Sequence, residues 1–313
     1  MTGIDINRGT SGVNLPVEVS SEIWADAQEA SAVMSMARQI SLPGSGASIP
    51  IITGDAEADW VGETDEKSVS RATLSNKTIT PYKLAVIEPF SNEFRRDLPA
   101  LYEELRRRLP GAIAKKFDST VFGSTAPGSN FDTLGAASAV GLTPHATNVK
   151  LGTYSGLVAA YQSVATGGGS LDGWALSSQA KGLLLGQIDS TGRPLLLDSI
   201  QGGSAVPQLL GEPVNYSKGV YTAGTTNVIG FAGDWSSAVY GTVEGIKIDI
   251  SNQATIADGV TTLTASDATT TVDVPNHLNL WQRNMFAVLV EVEIGFRVRD
   301  TDHFVKLTDA VRS

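Results

Sequence analysis

Ser91–Gly123, which reads SNEFRRDLPALYEELRRRLPGAIAKKFDSTVFG, is the stretch that decides the fold. Asp97 and Pro99 suit the start of a helix, and Gly123 suits its end. At roughly 1.5 Å per residue the helix would span on the order of 35–40 Å, the width of a domain. Its apolar residues recur every three or four positions and so share one stripe: Leu98, Leu101, Tyr102, Leu105, Leu109, Ile113, Phe117 and Val121.

Pro110 lies in the interior of this predicted helix. A proline there removes one backbone hydrogen bond and costs roughly 3 kcal/mol unless the helix bends. We therefore predict that the long helix bends or breaks close to Leu109–Gly111.

The composition narrows the class of protein. The chain has 313 residues, of which 42% are hydrophobic and 18% charged, as expected of a globular protein. It has no cysteine, which excludes disulfides and thiolate metal sites, and its three histidines follow no metal-ligand spacing. No apolar run approaches the ~20 residues of a membrane-spanning helix, and the first residues do not resemble a signal peptide. We expect a protein that is made and used in a cytoplasm.

The charge is strongly acidic, with a net value of −10. This argues against a dedicated nucleic-acid reader, which normally has a basic face. The charge is also compatible with an acidic surface that encloses a nucleic acid without binding it tightly, because such a surface would leave the polymer mobile. Simple solubility explains the same charge equally well.

The N-terminal half predicts one more helix and a hairpin. Residues 1–15 are polar and glycine-containing and are interpreted as an extended arm, followed by a helix over roughly Val19–Ile40. Ser48–Ile52 and Thr73–Thr80 are predicted strands, joined by the acidic tip Thr64–Lys67 into a long hairpin. Because a two-stranded ribbon is marginal in water, something must cover it, and a second copy of the protein is the economical candidate.

The C-terminal half alternates helices and short strands, which indicates a compact α+β unit. Thr255–Pro275 is polar and threonine-rich without periodicity, and we interpret it as an insertion. The other predicted elements are a strand over Lys83–Phe90, a connector over Ser124–Lys150, helices over Leu151–Val164 and Ser177–Ile188, a buried strand over Asp172–Leu176, a loop over Ile188–Pro207, short strands over Pro213–Tyr216, Asn227–Ala232, Ala238–Gly241 and Gly245–Ser251, and a long strand over Asn284–Val298.

No stretch of the sequence carries a convincing enzyme constellation. Asp234 beside Trp235 is compatible with a catalytic acid next to a sugar-stacking aromatic, but a residue that caps a turn is favoured. His303 near Asp300 and Asp302 is compatible with a metal site, but a solvated charged turn is favoured. We predict no catalytic residue, no cofactor and no metal, and hence no enzyme.

The order of these elements resembles the major capsid proteins of tailed bacteriophages, with the fold typified by phage Hong Kong 97. Each local match is short, and their joint order and spacing carry the resemblance. The matching segments are Glu29–Met34, Ala58–Glu63, Pro81–Ala85, Phe90–Phe94, Leu210–Val214, Gly233–Ser236, Gly245–Ile250, Leu280–Met285 and Gly295–Val298.

The resemblance implies an α+β, Hong Kong 97-like capsid fold whose parts follow one another along the chain. It assigns residues 1–44 to the N-terminal arm and first helix, and residues 45–88 to an extended β-hairpin, the E-loop, that lies over a neighbouring subunit. Residues 89–150 become the peripheral domain with the long helix as its spine. Residues 151–280 become the axial domain, with the polar insertion at 252–276, and residues 281–313 return to the peripheral domain.

The resemblance also implies a function in assembly. The chain would form hexamers and pentamers of an icosahedral shell around a double-stranded DNA genome, in the cytoplasm of a host bacterium. A portal and separate scaffold or decoration proteins are the implied partners, together with packaged DNA that is not read by sequence, and no membrane is involved. No charged helical stretch precedes the arm, so a fused scaffolding segment is not expected. The type member of the family is covalently cross-linked through a lysine. Lys67 and Lys77 are the only candidates for that lysine here, and we do not expect cross-linking of this chain.

Contacts between subunits are predicted on three surfaces. Arg106, Arg107 and Arg108 are expected to contact Asp65 and Glu66 of a neighbouring subunit. A solvent-exposed helix face explains these arginines equally well. The predicted residues are Trp60, Glu63, Asp65, Glu66 and Lys67 on the E-loop, Arg95, Arg96, Arg106, Arg107 and Arg108 on the spine, and Asp189, Arg193 and Gln201 on the axial loop.

Two other classes of protein compete with a phage capsid protein. An encapsulin, a cellular shell of the same fold around a cargo enzyme, is disfavoured by the long hairpin and the free N-terminal arm. An unrelated cytosolic enzyme would be expected to show at least one acid, base or metal constellation.

Overall fold

The computed structural model describes residues 17–54, 58–63, 67, 69, 73–93, 98–142, 152–185, 208–264 and 271–310. Contacts within the chain divide it into two compact units. The first unit comprises Met1–Asp26, Lys83–Pro110 and Glu244–Val292. The second comprises Ala27–Tyr82, Gly111–Val243 and Glu293–Ser313. The chain therefore leaves and re-enters each unit.

The N-terminal helix is shorter than predicted and is interrupted at Ser31. Helix α1 spans Val17–Ala30, α2 spans Ala32–Met36, and strand β1 spans Arg38–Ser41. The backbone of Ser31 is extended, and its hydroxyl accepts a hydrogen bond from the amide of Met34 at 3.1 Å. Serine competes with the helix for backbone hydrogen bonds and is favoured at an N-cap. A single helix as far as Ile40 is therefore wrong.

The predicted hairpin is confirmed. Strands β2 (Ala47–Gly54) and β3 (Thr73–Ile79) pair antiparallel, from Ala47 opposite Ile79 to Gly54 opposite Thr73. A third strand, β4, spans Tyr82–Ser91. We name residues 55–72 the hairpin connection.

The long helix, α3, spans Leu98–Val121. Five members of its predicted stripe are buried, namely Leu105, Leu109, Ile113, Phe117 and Val121. The cap residue Asp97 lies outside the described residues. The helix continues through Pro110, so a break there is wrong. The bend stays a prediction.

The C-terminal half contains two further helices and eleven strands among the described residues. Most of them fall where the sequence predicts, and β5, β7, β12, β13 and β15 were not predicted. The elements are β5 (Ser138–Gly141), α4 (Gly152–Thr166), β6 (Gly173–Leu176), α5 (Ser178–Leu185), β7 (Gln208–Leu209), β8 (Glu212–Tyr216), β9 (Thr226–Gly233), β10 (Ala238–Thr242), β11 (Lys247–Ser251), β12 (Thr255–Thr264), β13 (Thr271–Asn279), β14 (Met285–Val298) and β15 (Phe304–Ala310).

The second unit is built on a six-stranded sheet in the order β5-β15-β9-β6-β8-β7. The predicted strand β6 is buried along its whole length, as expected for a central strand. Its Trp174 is fully buried and packs in a core with apolar residues of α4, α5, β9 and β15. The indole nitrogen of Trp174 donates to the carbonyl of Leu209 at 3.0 Å, so that this buried donor is satisfied.

Strand β14 contributes to both units. In the second unit its C-terminal part pairs antiparallel with β10, which pairs parallel with β1. In the first unit its N-terminal part pairs antiparallel with β11, with Val290 opposite Ile248. Strand β4 also pairs with β14.

The polar threonine-rich stretch is a ribbon of two strands. Strands β12 and β13 pair antiparallel, with an irregularity between Ala257 and Val260 where Gly259 has a φ of 71°. Residues 244–280 group with the first unit, whereas the resemblance places 151–280 in one axial domain. That division into domains stays a prediction. Among the described residues, no helix has the length and apolar character needed to cross a membrane.

Candidate assembly surfaces

The base of the β2–β3 hairpin is held by the guanidinium of Arg297, a residue of β14. Its Nε donates to the carbonyl of Thr78 at 2.8 Å, its Nη1 to Oδ1 of Asp132 at 2.5 Å, and its Nη2 to Oδ1 of Asn130 at 3.1 Å. The side chain of Arg297 is only 14% exposed. Because a guanidinium carries several hydrogen-bond donors in one plane, the side chain of Arg297 links β3 both to β14 and to the segment Asn130–Asp132.

Lys77 and Ile79 add to this anchorage. The ammonium of Lys77 donates to the carbonyls of Val298 and Arg299, each at 2.9 Å, and lies 3.9 Å from Oδ2 of Asp132. Ile79 is completely buried. The base of the hairpin is therefore fixed by these contacts, and among the described residues its two strands pair only with each other.

A groove of about 410 Å³ lies beside this base. Its lining includes one carboxylate, Asp234, and two serines. Four further lining residues are apolar: Ile49, Pro50, Val239 and Val298. Its remaining lining residues are four cations: Arg38, Lys77, Arg297 and Arg299. Two of these cations, Lys77 and Arg297, already face the carboxylate of Asp132, so part of the positive charge is balanced within the chain.

The hairpin connection is exposed wherever it is described. Trp60 has its whole side-chain surface accessible, and Val69 has 82% accessible. Glu63 and Lys67, also predicted contacts, are exposed. Asp65 and Glu66 lie outside the described residues.

The predicted arginine surface on the long helix is only partly described. Arg107 and Arg108 are exposed. Nη1 of Arg108 lies 2.6 Å from Oε1 of Glu88, so this guanidinium has an acidic partner in its own chain. Arg95, Arg96 and the side chain of Arg106 lie outside the described residues, as do the axial-loop residues Asp189, Arg193 and Gln201. A contact of these arginines with a neighbour's E-loop stays a prediction.

Sequence reasoning missed a buried carboxylate, Asp118 on α3. It accepts hydrogen bonds from the hydroxyls of Ser31 and Ser217, at 2.6 and 2.5 Å, and from the amides of Ala32 and Val33, at 3.0 and 3.4 Å. Burial raises the pKa of Asp118, and the hydrogen bonds oppose that rise. Asp118 lies three residues before Val121, a member of the buried stripe, and this helical spacing could have indicated that Asp118 is buried.

Asp234 caps a turn, as the favoured interpretation predicts. It accepts from the amide of Ser237 at 3.2 Å, at the end of the 3-10 turn Trp235–Ser237. Asp172 accepts from the amides of Trp235 and Ser236, and burial is the main cause that raises its pKa.

His303 departs from the predicted solvated turn. Asp300 does cap this turn, and Asp302 is exposed, but His303 is only 8% exposed. Its Nδ1 lies 3.9 Å from Oδ2 of Asp234 and has no hydrogen-bond partner among the described residues. In the described part of the chain, no three His, Asp or Glu side chains come together as metal ligands.

Comparison with known proteins decides the family. The sequence matches the phage capsid family over residues 11–309. The chain belongs to the phage capsid family. Two of its relatives are named probable major capsid protein gp17. That of Mycobacterium phage D29 is 33% identical over 95% of this chain and 90% of its own length, and that of Mycobacterium phage L5 is 33% identical over 94% and 89%.

Solved structures agree with this family at the level of the fold. A chain from Mycobacterium phage Bobi superposes with a TM-score of 0.66 at 19% identity, covering 90% of this chain and 91% of that one. One from Mycobacterium phage Adephagia gives 0.65 at 21% identity, with the same coverage. The capsid of the native GTA particle gives 0.59 at 14% identity, covering 98% and 96%. The mixed α+β architecture is thus that of phage capsid proteins, and the chain is a major capsid protein of a tailed phage, a structural component of the virion.

Proposed function

We propose that copies of this chain assemble as hexamers and pentamers of an icosahedral shell that encloses a double-stranded DNA genome. The observation that carries this proposal is the β2–β3 hairpin, whose connection leaves Trp60 wholly exposed. Aromatic side chains are enriched in interfaces between proteins, and a ribbon of two strands is marginal alone. A neighbouring subunit would cover both the side chain of Trp60 and the two-stranded hairpin.

Within such a shell each segment takes the part that the family resemblance implies. Residues 45–88 are the E-loop over an adjacent subunit, α3 is the spine of the peripheral domain, and residues 151–280 form most of the axial domain. Residues 1–44 and 281–313 are the arm with the first helix and the returning strand. The net charge of −10 suits a wall that holds DNA without gripping it.

The partners of the shell are proposed on the same basis. They are a portal, separate scaffold or decoration proteins and the packaged DNA, and assembly takes place in the bacterial cytoplasm. The protein performs no catalysis and needs no cofactor or metal in this role.

Assembly of the purified full chain is the direct test. We expect capsomers or shells in negative-stain micrographs and a fast-sedimenting species, with more than the ~1,600 Å² of a standard interface buried per subunit. Replacement of Trp60 by Ala should weaken assembly while leaving the melting temperature of the unassembled chain unchanged. A chain that stays monomeric under all assembly conditions would contradict the proposal. An encapsulin would instead enclose a protein cargo and no DNA.

A further inference from the structure

Two connections between strands run side by side in the second unit. Residues 234–237 lead from β9, in the six-stranded sheet, to β10, and residues 299–303 lead from β14, which pairs with β10, to β15 of the six-stranded sheet. Their backbones are joined, because the amide of Asp234 donates to the carbonyl of His303 and the amide of Arg299 to that of Ser237, each at 3.1 Å. The two connections therefore hold β10 and the end of β14 to the six-stranded sheet.

The side chain of His303 spans these connections with an unpaired ring nitrogen. Its Nδ1 is buried, lies 3.9 Å from Oδ2 of Asp234 and has no hydrogen-bond partner among the described residues. That separation is too long for a hydrogen bond but within the reach of an ion pair. Oδ1 of Asp234 accepts from the hydroxyl of Ser236 and the amide of Ser237, whereas Oδ2 faces the ring. Buried polar atoms are nearly always paired, so an exception at a side chain that can change its charge points to a second state.

The ionisable groups on the elements around His303 are mostly carboxylates. Burial and the charge of Asp234 both raise the pKa of Asp172, which lies just before β6. Two more carboxylates belong to the turn of His303 itself, and two guanidiniums line the groove together with Asp234. A positive imidazolium would relieve this excess of negative charge. The groups are Asp172, Asp234, Asp300 and Asp302 on the acidic side, and Arg38 and Arg299 on the basic side.

The carboxyl end of α4 packs on the same turn. A Cβ at Gly169, just after α4, would lie 3.1 Å from Cβ and Cγ of His303. Helix α4 itself carries no acidic or basic side chain. Because the carboxyl end of a helix bears a partial negative charge, it also favours a cation at this position.

We propose that His303 is a pH-sensitive switch between the two connections. With a neutral imidazole the contact to Asp234 stays open, as in the structure. When the ring takes up a proton from solvent in mild acid, Nδ1–H donates to Oδ2 of Asp234, the gap closes by about 1 Å, and residues 234–237 are held more tightly to residues 299–303. The added stability is present in acid and is lost as the pH rises through the range in which histidine titrates. This inference concerns the single chain and does not rest on the proposed shell.

Melting of the full, unassembled chain at about pH 5.5 and about pH 8, on either side of the range in which histidine titrates, tests the switch. Asp234→Asn keeps the oxygen that caps the turn but removes the charge. We expect it to lower the melting temperature by about 2–4 °C at the lower pH and by much less at the higher one. In a His303→Asn background, the effect of Asp234→Asn should be the same at both pH values. His277→Asn, at an exposed histidine of β13, is the matched control and should leave both melting temperatures unchanged.

A spectroscopic arm observes the proton itself. The chain has only three histidines, so isotope labelling of their ring nitrogens gives few signals to resolve by NMR. We expect protons on both ring nitrogens of His303 at the lower pH and on one at the higher pH. A purely structural histidine would keep the same protons at both.

The outcomes decide the inference separately from the proposed function. Equal effects of Asp234→Asn at both pH values would show that the pair is only structural and would overturn the switch. A pH dependence that persists in His303→Asn would assign the titration to Asp172 or another carboxylate and overturn it as well. Should His303→Asn not fold, the pH dependence of Asp234→Asn and the ring-nitrogen signals decide between these results. All of these measurements use the unassembled chain, so their failure leaves the proposed shell intact, and a failure to assemble leaves the switch intact.

Discussion

The hydroxyl of Ser31 donates a hydrogen bond of 2.6 Å to Oδ1 of Asp118, although the two residues are 87 positions apart in the chain. The same carboxylate accepts from the amide of Ala32, the first residue of α2. One buried side chain of α3 therefore binds both Ser31, the N-cap of α2, and the first residue of α2. Its second oxygen also binds the hydroxyl of Ser217, which ties the segment after β8 to the same point.

Loss of this carboxylate should be among the costliest single changes. Asp118→Ala leaves the buried hydroxyls of Ser31 and Ser217 and the amide of Ala32 without an acceptor. We expect a fall of about 3 kcal/mol in the free energy of unfolding, because each unpaired buried group costs about 1–3 kcal/mol. Urea denaturation of the unassembled chain measures it. Asp118→Asn is the matched control, since it keeps one oxygen acceptor and should cost clearly less. Equal losses for the two variants would argue against the hydrogen bonds as the cause.

The ionisation of Asp118 should make stability depend on pH. Burial raises the pKa of Asp118 above its ordinary 3.8, so the folded chain holds this proton more tightly than the unfolded chain. The contribution to stability is then fully present below pH 3.8 and is lost as the pH rises through the folded pKa. We expect the melting temperature of the wild type, relative to Asp118→Asn, to be highest near pH 4 and to fall toward neutral pH. A difference that grows with pH would show that the hydrogen bonds outweigh burial.

Anchorage of the hairpin should depend on the shape of Arg297 more than on its charge. Arg297→Lys keeps the charge but loses the fork that reaches Thr78, Asn130 and Asp132 together. We expect a loss of about 1–2 kcal/mol in the free energy of unfolding and faster amide hydrogen exchange across β3. Arg38→Lys, at an exposed position, should change neither by a measurable amount. Unchanged exchange in Arg297→Lys would contradict the anchoring role.

The turn into the hairpin should require glycine at position 46 and not at position 44. Gly46 has a φ of +83°, and a Cβ there would clash with the carbonyl oxygen of Ile79. A left-handed backbone costs other residues about 1–2 kcal/mol, and the clash adds to that cost. Gly46→Ala should therefore lower the free energy of unfolding by at least about 2 kcal/mol. Gly44→Ala meets nothing within 4 Å and should leave stability nearly unchanged, as thermal melts of both variants would show.

Local pattern was sufficient for the elements that are periodic and self-consistent. The three- and four-residue spacing over Leu98–Val121 and the apolar run of β6 each predict one structure, because burial along a helix or a strand repeats with a fixed period. The paired hairpin and the capping role of Asp234 also follow from residue type and spacing. The order of the elements was enough to place the chain among phage capsid proteins.

Elsewhere local pattern failed because distant residues decide the outcome. Arg38–Ser41 continues a helical pattern but forms a strand, since β10 offers it backbone partners from 201 residues further along the chain. The ribbon of β12 and β13 was interpreted as an insertion without periodicity, and its pairing shifts register between Ala257 and Val260, where Gly259 has a positive φ. His303 looks solvated beside two aspartates, yet the fold buries it.

The sequence by itself thus determined most of the helices and strands, the family and the exposed acidic connection with Trp60, because these depend on residue type and short-range order. Only the tertiary structure decided that Asp118 is a buried acceptor shared by segments up to 99 residues away, and that Arg38, Lys77, Arg297 and Arg299 line one groove. Those positions depend on strand pairing between remote parts of the chain, which no local pattern encodes.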